Sequence, residues 1–296
     1  MRWTRLAPDP WGLFFIHALC LGLLVTSTSA ETVRLIASAD NTLIESVTGE
    51  RSNGAGPAIF VGRTSQARES IRRGLVYFDV AAAMPAGMII TRAELSFVST
   101  PSNPQPALIG VHRALSAWGE GASSAAGGSG ALAAPGDATW IHTFYDEWFW
   151  SEAGGDFVAS ASMIREVGDA GVVTFDSTPE AVEDVQTWLD LPDHNYGWVL
   201  LGGESAPTTS KRFASREADD PAEVPQLLIE YQQPCEALAL EGASRALCHA
   251  YCETLDCEGS DRFASPSACE QLSRQLARYG IETPTCARSE FSGTTD

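Results

Sequence analysis

The densest group of reactive side chains lies near the C-terminus, where Cys235, Cys248, Cys252, Cys257, Cys269 and Cys286 all fall beyond Pro234. The run Cys248-His249-x2-Cys252-x4-Cys257 offers ligand types and spacings that a zinc ion can use. The same six thiols also form an even, clustered set, which in an exported chain reads as three disulfides. Elsewhere His112, His142 and His194 are dispersed, and the sequence has no HExxH, no GxSxG and no P-loop. The spacings used by zinc peptidases, nucleophile-elbow hydrolases and phosphate-cradling enzymes are therefore missing. Carboxylates are plentiful, with 38 Asp and Glu. A glycosidase pair, however, is defined by its separation across one sugar, which order along a chain does not give. The residues argue against an enzyme.

The elements that position these residues begin after an N-terminal segment with Arg2 and Arg5, the apolar run Trp11 to Val25, and the small residues Thr26-Ser27-Thr28-Ser29-Ala30. That order predicts a secretory signal over 1–30, cleaved after Ala30, and a secreted or cell-surface protein. The apolar run is shorter than the roughly 20 residues a spanning helix needs, so the mature chain is expected to carry no membrane span. Cys20 sits inside this run and lacks the small residue before it that lipoprotein processing wants, so it is read as signal filler. The export signal favours disulfides over zinc for the remaining thiols. The formal net charge of −19 becomes one unit more negative when Arg2, Arg5 and Asp9 leave. A field of that sign disfavours nucleic acid and anionic membrane and favours solubility.

From Thr32 to Tyr231, short segments rich in Val, Ile, Leu, Phe and Tyr are separated by Gly, Pro, Asn and Asp, predicting an all-β sandwich. Eleven strands are expected: 33–37, 42–45, 58–61, 74–80, 92–98, 108–113, 157–166, 171–175, 197–201, 212–215 and 227–231. In 73–80 the period of two places Val76, Phe78 and Val80 on the core face and Arg73, Leu75, Tyr77 and Asp79 on the other. Ser177-Thr178-Pro179-Glu180 announces one inserted helix, with capping hydroxyls, a proline for the first turn and a reciprocal Glu. Val182, Val185, Trp188 and Leu189 then form its apolar stripe. Residues 119–137 are Gly, Ala and Ser without periodicity, and are expected to be a flexible surface loop. Residues 234–296 are read as a small, disulfide-rich α-helical unit of two helices, the second opened by a Ser267–Glu270 capping box and stopped by Gly280. An antiparallel helical hairpin turning near Asp261 would set Cys252 opposite Cys269 and Cys235 opposite Cys286.

Several phrases occur in order: Ala39-Asp40-Asn41-Thr42; Arg73-Gly74-Leu75-Val76-Tyr77-Phe78-Asp79-Val80; Met84-Pro85-Ala86-Gly87 with Ile90-Thr91-Arg92-Ala93-Glu94-Leu95; and Thr139-Trp140. They continue with Trp150, Gly154-Gly155-Asp156-Phe157, Trp188, Asn195-Tyr196-Gly197-Trp198, Phe213-Ala214-Ser215-Arg216-Glu217 and Pro225-Gln226-Leu227-Leu228-Ile229-Glu230-Tyr231. This ordered set, over 31–233, resembles the bacterial DNRLRE domain, which is similar to carbohydrate-binding module family 96. The resemblance implies a jelly-roll β-sandwich that in some relatives holds acidic polysaccharide such as alginate, often appended to secreted enzymes; no catalytic domain accompanies it here. Because the net charge opposes a polyanion, binding would need a local basic patch, with Arg63, Arg72, Arg73, Lys211, Arg212 and Arg216 as candidates. A guanidinium can hold a sugar carboxylate through two parallel hydrogen bonds. The alternative is that Arg73 and Arg216 make internal ion pairs, with Asp79 and Glu217. Of Trp118, Trp140, Trp148, Trp150, Trp188 and Trp198, most are expected in the core. Trp148 and Trp150, beside Tyr145 and Phe149 in a Gly-flanked region, are the candidates for an exposed sugar platform. Asp40 with Asn41 could hold a structural calcium of the type seen in related jelly rolls, or simply make a turn; no other cofactor is expected. The expected partner is a polysaccharide or cell-surface component, and the alternative is a purely structural or adhesive extracellular protein, ahead of a polysaccharide-degrading enzyme.

Overall fold

The computed structural model describes residues 30–232. The expected signal segment, the helical tail, the zinc-like spacing and the disulfide candidates Cys235, Cys248, Cys252, Cys257, Cys269 and Cys286 lie outside the described residues. Within them, the stretch from Ala93 to Thr100 alternates buried and half-buried side chains, whereas 39–44 and 58–63 are buried almost throughout. In chain order the strands are β1 (Glu31–Ile36), β2 (Ala39–Ile44), β3 (Arg51–Ser52), β4 (Ala58–Arg63), β5 (Ile71–Tyr77), β6 (Ile89–Thr100), β7 (Ala107–Arg113) and β8 (Ala131–Leu132). They continue as β9 (His142–Phe144), β10 (Trp148–Phe149), β11 (Met163–Val167), β12 (Gly171–Phe175), β13 (Trp198–Leu201), β14 (Lys211–Ala214) and β15 (Gln226–Gln232). All eleven expected segments contain a strand. The segment 157–166 pairs as a strand only from Met163, and the segment 74–80 ends at Tyr77, where Asp79 caps a one-turn helix, α1 (Val80–Ala83).

The protein is mainly β, and its large sheet is antiparallel throughout, in the order β1-β15-β6-β14-β4-β5-β13-β7-β11, with β12 on β6 and β2 on β5. Strand β4 belongs to both halves: Ala58 to Val61 pair with β14, and Gly62 and Arg63 pair with β5. The sheet therefore turns over on itself into a sandwich-like body. Side chains of both halves meet in one core, among them Ile59, Val76, Phe78, Leu95, Phe97, Ile109, Val111, Trp198, Phe213, Leu227 and Ile229. Phe97 lies 5.3 Å from Phe213 and 6.2 Å from Phe175, centroid to centroid. The first strand is zipped to the last, with Glu31 opposite Tyr231 and Ile36 opposite Gln226.

The inserted helix, α2 (Pro179–Asp190), closes the core with Val185, Trp188 and Leu189 of the expected stripe; Ala181 is buried beside them, while Val182, also expected there, is only partly buried against the core. Its cap is Thr178, whose hydroxyl accepts from Ala181 N. Ser177 instead accepts from Ala93 N in β6, so the cap lies one residue later than a Ser177–Glu180 box requires. Asp184 is buried where helix and sheet meet. Its carboxylate accepts from Ser162 Oγ at 2.5 Å and Trp198 Nε1 at 2.8 Å and pairs with Arg113 at 3.3 Å.

The outer face of the β2-β5-β13 half is also covered. Leu43, Leu75 and Val199 on that face are fully buried against Ala114, Ala138, Trp140 and Trp150. Residues 114–157 thus form a third layer. Within it, the 119–137 stretch expected to be flexible is pinned by polar groups and close backbone packing. Asp137, fully buried, accepts from Ser123 N and Ala134 N, and β8 pairs with β3. A Cβ on Gly119 would collide with Gly136 O, and one on Gly121 with Asp137, so these glycines serve close approach.

Candidate functional site

The third layer ends in an aromatic hairpin. Strands β9 and β10 pair with Trp148 opposite Phe144 and Phe149 opposite His142, with an irregularity between Trp148 and Phe149. A tight turn joins them, closed by Glu147 N donating to Phe144 O at 2.9 Å. Thr139 fixes its base. The backbone N–H of Thr139 donates to His142 O, its hydroxyl accepts from His142 N at 3.1 Å and lies 2.9 Å from His142 Nδ1, and its carbonyl accepts from Trp150 Nε1 at 2.8 Å. His142 packs under Phe149, with ring centroids 4.5 Å apart, and edge-on to Tyr145 at 5.1 Å. Burial holds the His142 pKa below its ordinary value, against the pull of Asp146, so the imidazole is neutral at pH 7.

The irregularity decides which aromatics face water. Trp148 is 66% exposed and Phe149 63%, whereas Trp150 is 6% exposed and packs in the layer beneath. The expectation of Trp148 and Trp150 as a period-two platform is therefore corrected: the outward pair is Trp148 and Phe149, and Trp150 is their foundation. Alternation failed because the local slip in register breaks the two-residue period. The signal available in the sequence was the aromatic density of Tyr145-Asp146-Glu147-Trp148-Phe149-Trp150. Beyond the hairpin, Asp156 ties the chain down by accepting from Ser151 N, Ser151 Oγ, Glu152 N and Ser116 Oγ. Burial works against its charge, but these hydrogen bonds prevail and hold its pKa below the usual carboxylate value.

The basic candidates are engaged internally. Arg73 makes a two-point ion pair with Glu204, at 2.7 and 2.9 Å, donates to Gly154 O at 2.8 Å, and lies 4.9 Å from the Trp140 ring and 5.3 Å from that of Phe157. It is an internal ion pair with Glu204 in place of Asp79, and it roots the hairpin layer on the sandwich. Arg63 donates to Ser70 Oγ and Glu204 O. Arg72 is buried, with its guanidinium on Gly128 O, Glu69 O, Ile71 O and Gln66 Oε1. Lys211 has no exposed surface, and its Nζ donates to Asn103 O, Gln105 O and Gly168 O at 2.7 to 2.9 Å. Arg212 donates to Thr100 Oγ1. Arg72 and Lys211 are thus corrected to buried structural cations, Arg73 and Arg216 would have to break ion pairs to bind a uronate, and Arg63 and Arg212 make hydrogen bonds to neutral acceptors through part of their guanidinium groups.

Asn41 is saturated by protein partners, and Asp40 precedes it in β2. Asn41 Oδ1 accepts from Thr42 N, Ser52 Oγ and Asn53 N, and its Nδ2 donates to Glu120 O at 2.8 Å, with Gly119 O and Ala138 O at 3.4 Å. It is the peg on which the third layer hangs, with no acceptor left for a cation. Asp40 Oδ2 accepts from Arg216 N at 2.7 Å, while Arg216 Nε pairs with Glu120 at 2.7 Å and Glu217 at 3.2 Å. Asp40 Oδ1 and Glu217 Oε2, both buried, have no hydrogen-bond partner among the described residues. Burial raises the pKa of both carboxyls, with the charge of Glu120 adding to the effect. Among the described residues no group of three or more His, Cys, Asp or Glu is arranged to hold a metal ion, and Asn41 does not fit the calcium reading.

Fold and site together define a mainly β, sandwich-like protein that carries a braced aromatic hairpin on one covered face. No protein-family model and no curated protein matches the chain.

Proposed function

We propose that the chain is an exported, non-catalytic glycan-binding module of the cell surface or medium, built on a jelly roll of the DNRLRE kind and followed by a cysteine-rich unit with three disulfides. The observation that carries this reading is the pair Trp148 and Phe149, left mostly exposed on a hairpin whose underside is fixed by Thr139, His142 and Trp150. Two adjacent exposed aromatics make a local apolar patch suited to contact, and flat aromatic faces stack on the C–H faces of sugar rings. Their support by a packed layer means that little conformational freedom is lost on binding. The antiparallel sandwich-like body agrees with the fold that the DNRLRE resemblance implies.

The test is affinity electrophoresis of the wild type and Trp148→Ala in gels containing anionic, neutral and cationic polysaccharides. Wild type should be retarded by at least one polymer and the variant released, with unchanged thermal stability, because an exposed side chain away from the core contributes within about 0.5 kcal/mol. Equal mobility of both proteins in every gel would favour the structural or adhesive reading, to which the internal engagement of the basic side chains already lends support. Release of shortened sugars from any polymer would instead establish an enzyme.

A further inference from the structure

The surroundings of the exposed pair carry one sign of charge. Between Arg113 and Arg165 the sequence contains no Lys or Arg, but has Glu120, Asp137, Asp146, Glu147, Glu152 and Asp156. Three of these are occupied inside: Asp137 in the 119–137 turn, Glu120 on Arg216, and Asp156 on Ser151 and Ser116. The other three, Asp146, Glu147 and Glu152, are exposed and flank Trp148 and Phe149 along the hairpin. Among the described residues, the cations that reach this layer from elsewhere are committed: Arg72 to Gly128 O and the carbonyls of Glu69 and Ile71, Arg73 to Glu204, Arg113 to Asp184, Arg216 to Glu120 and Glu217, and Arg51 to the carbonyls of Ser129 and Gly130. His142 beneath the rings adds no positive charge at neutral pH.

We propose that the Trp148–Phe149 platform reads glycans built of amino sugars with free, protonated amines, and rejects uronic-acid polymers; this rests on the glycan-binding reading above. An aromatic face attracts an ammonium through its quadrupole while accepting the apolar side of the sugar ring, and neighbouring carboxylates supply the countercharge. A uronate placed there meets Asp146, Glu147 and Glu152, with no uncommitted guanidinium on this layer among the described residues, so repulsion by like charge provides discrimination. The ligand class is therefore opposite in charge to the alginate-like one implied by the resemblance.

The experiment is titration calorimetry at about pH 6, below the ordinary pKa of a free amine. The probes are a β-1,4-linked glucosamine hexamer, its fully N-acetylated counterpart and a mannuronate hexamer. The proteins are the wild type, Trp148→Ala and the triple variant Asp146→Asn, Glu147→Gln, Glu152→Gln. The glucosamine hexamer should bind wild type, and each variant should weaken it at least tenfold. The acetylated hexamer should bind wild type at least tenfold more weakly than the free amine, and the mannuronate hexamer should give no heat. If the acetylated or mannuronate hexamer binds as well as the free amine and depends on Trp148, the proposal falls while the platform stands as a glycan site. If Trp148→Ala binds the glucosamine hexamer as tightly as wild type, or no hexamer binds at all, both readings fall.

Discussion

Asp40 illustrates how a single carboxyl couples the third layer to pH. It is almost wholly buried, one oxygen accepts from Arg216 N and the other has no partner among the described residues, and Glu120 and Glu217 lie close enough to oppose its charge. Burial first, then the two neighbouring acids, raise its pKa well above the ordinary carboxylate value, with the Arg216 N–H and guanidinium pulling the other way. A raised folded pKa means that the folded state holds the proton more tightly than the unfolded chain. The resulting stability is fully present below the unfolded value of about 3.9 and is lost as pH rises through the folded one. Asp40→Asn keeps an acceptor for Arg216 N and removes the charge. It should raise Tm at pH 7 and leave it nearly unchanged at about pH 4; an equal shift at both pH values would show that the charge is not the cause. Asp156 has the opposite sign, its lowered pKa giving stability that is lost as pH falls through the acid range.

Among the elements, the sandwich strands and α2 were legible because burial of one face imposes a period of two or 3.6 that survives in the sequence. Val76, Phe78 and Val80 do face the core. The third layer was not legible for three particular reasons. Leu75 falls on the face opposite to Val76 and reads as solvent-facing until a second covering layer is known. The Gly and Ala of 119–137 look like disorder by composition, but there they permit backbone contact held by Asn41 and Asp137, a polar glue with no periodic signature. The register slip in β10 defeats alternation between Trp148 and Trp150. For the site, aromatic density located the hairpin, while charge along the chain could not tell that Arg73 and Lys211 point inward to Glu204 and to backbone carbonyls. The layer's dependence on its buried indole gives a prediction at this scale: Trp150→Ala should cost about 3 to 5 kcal/mol. Hydrogen exchange should quicken across 114–157 more than in β6 or β15, whereas Trp148→Ala should leave exchange unaltered. Uniform acceleration throughout the protein would mean that the layer and the sandwich open as one unit.

Over the whole molecule, the net charge of −19 makes self-repulsion a standing cost of compactness. Raising salt from about 0.01 M to about 0.15 M shortens the screening length from about 30 Å to about 8 Å. Tm should therefore rise over that interval, and a fall would mean that the internal ion pairs at Glu204 and Arg216 outweigh the general repulsion. The pairing of β1 with β15 has its own consequence. With Glu31 across from Tyr231, the polypeptide enters and leaves the body at one corner, like a plug with both leads on the same side. Drawing those two ends apart would load the β1–β15 ladder at its Glu31–Tyr231 rung, so its hydrogen bonds would meet the force one at a time and not all together.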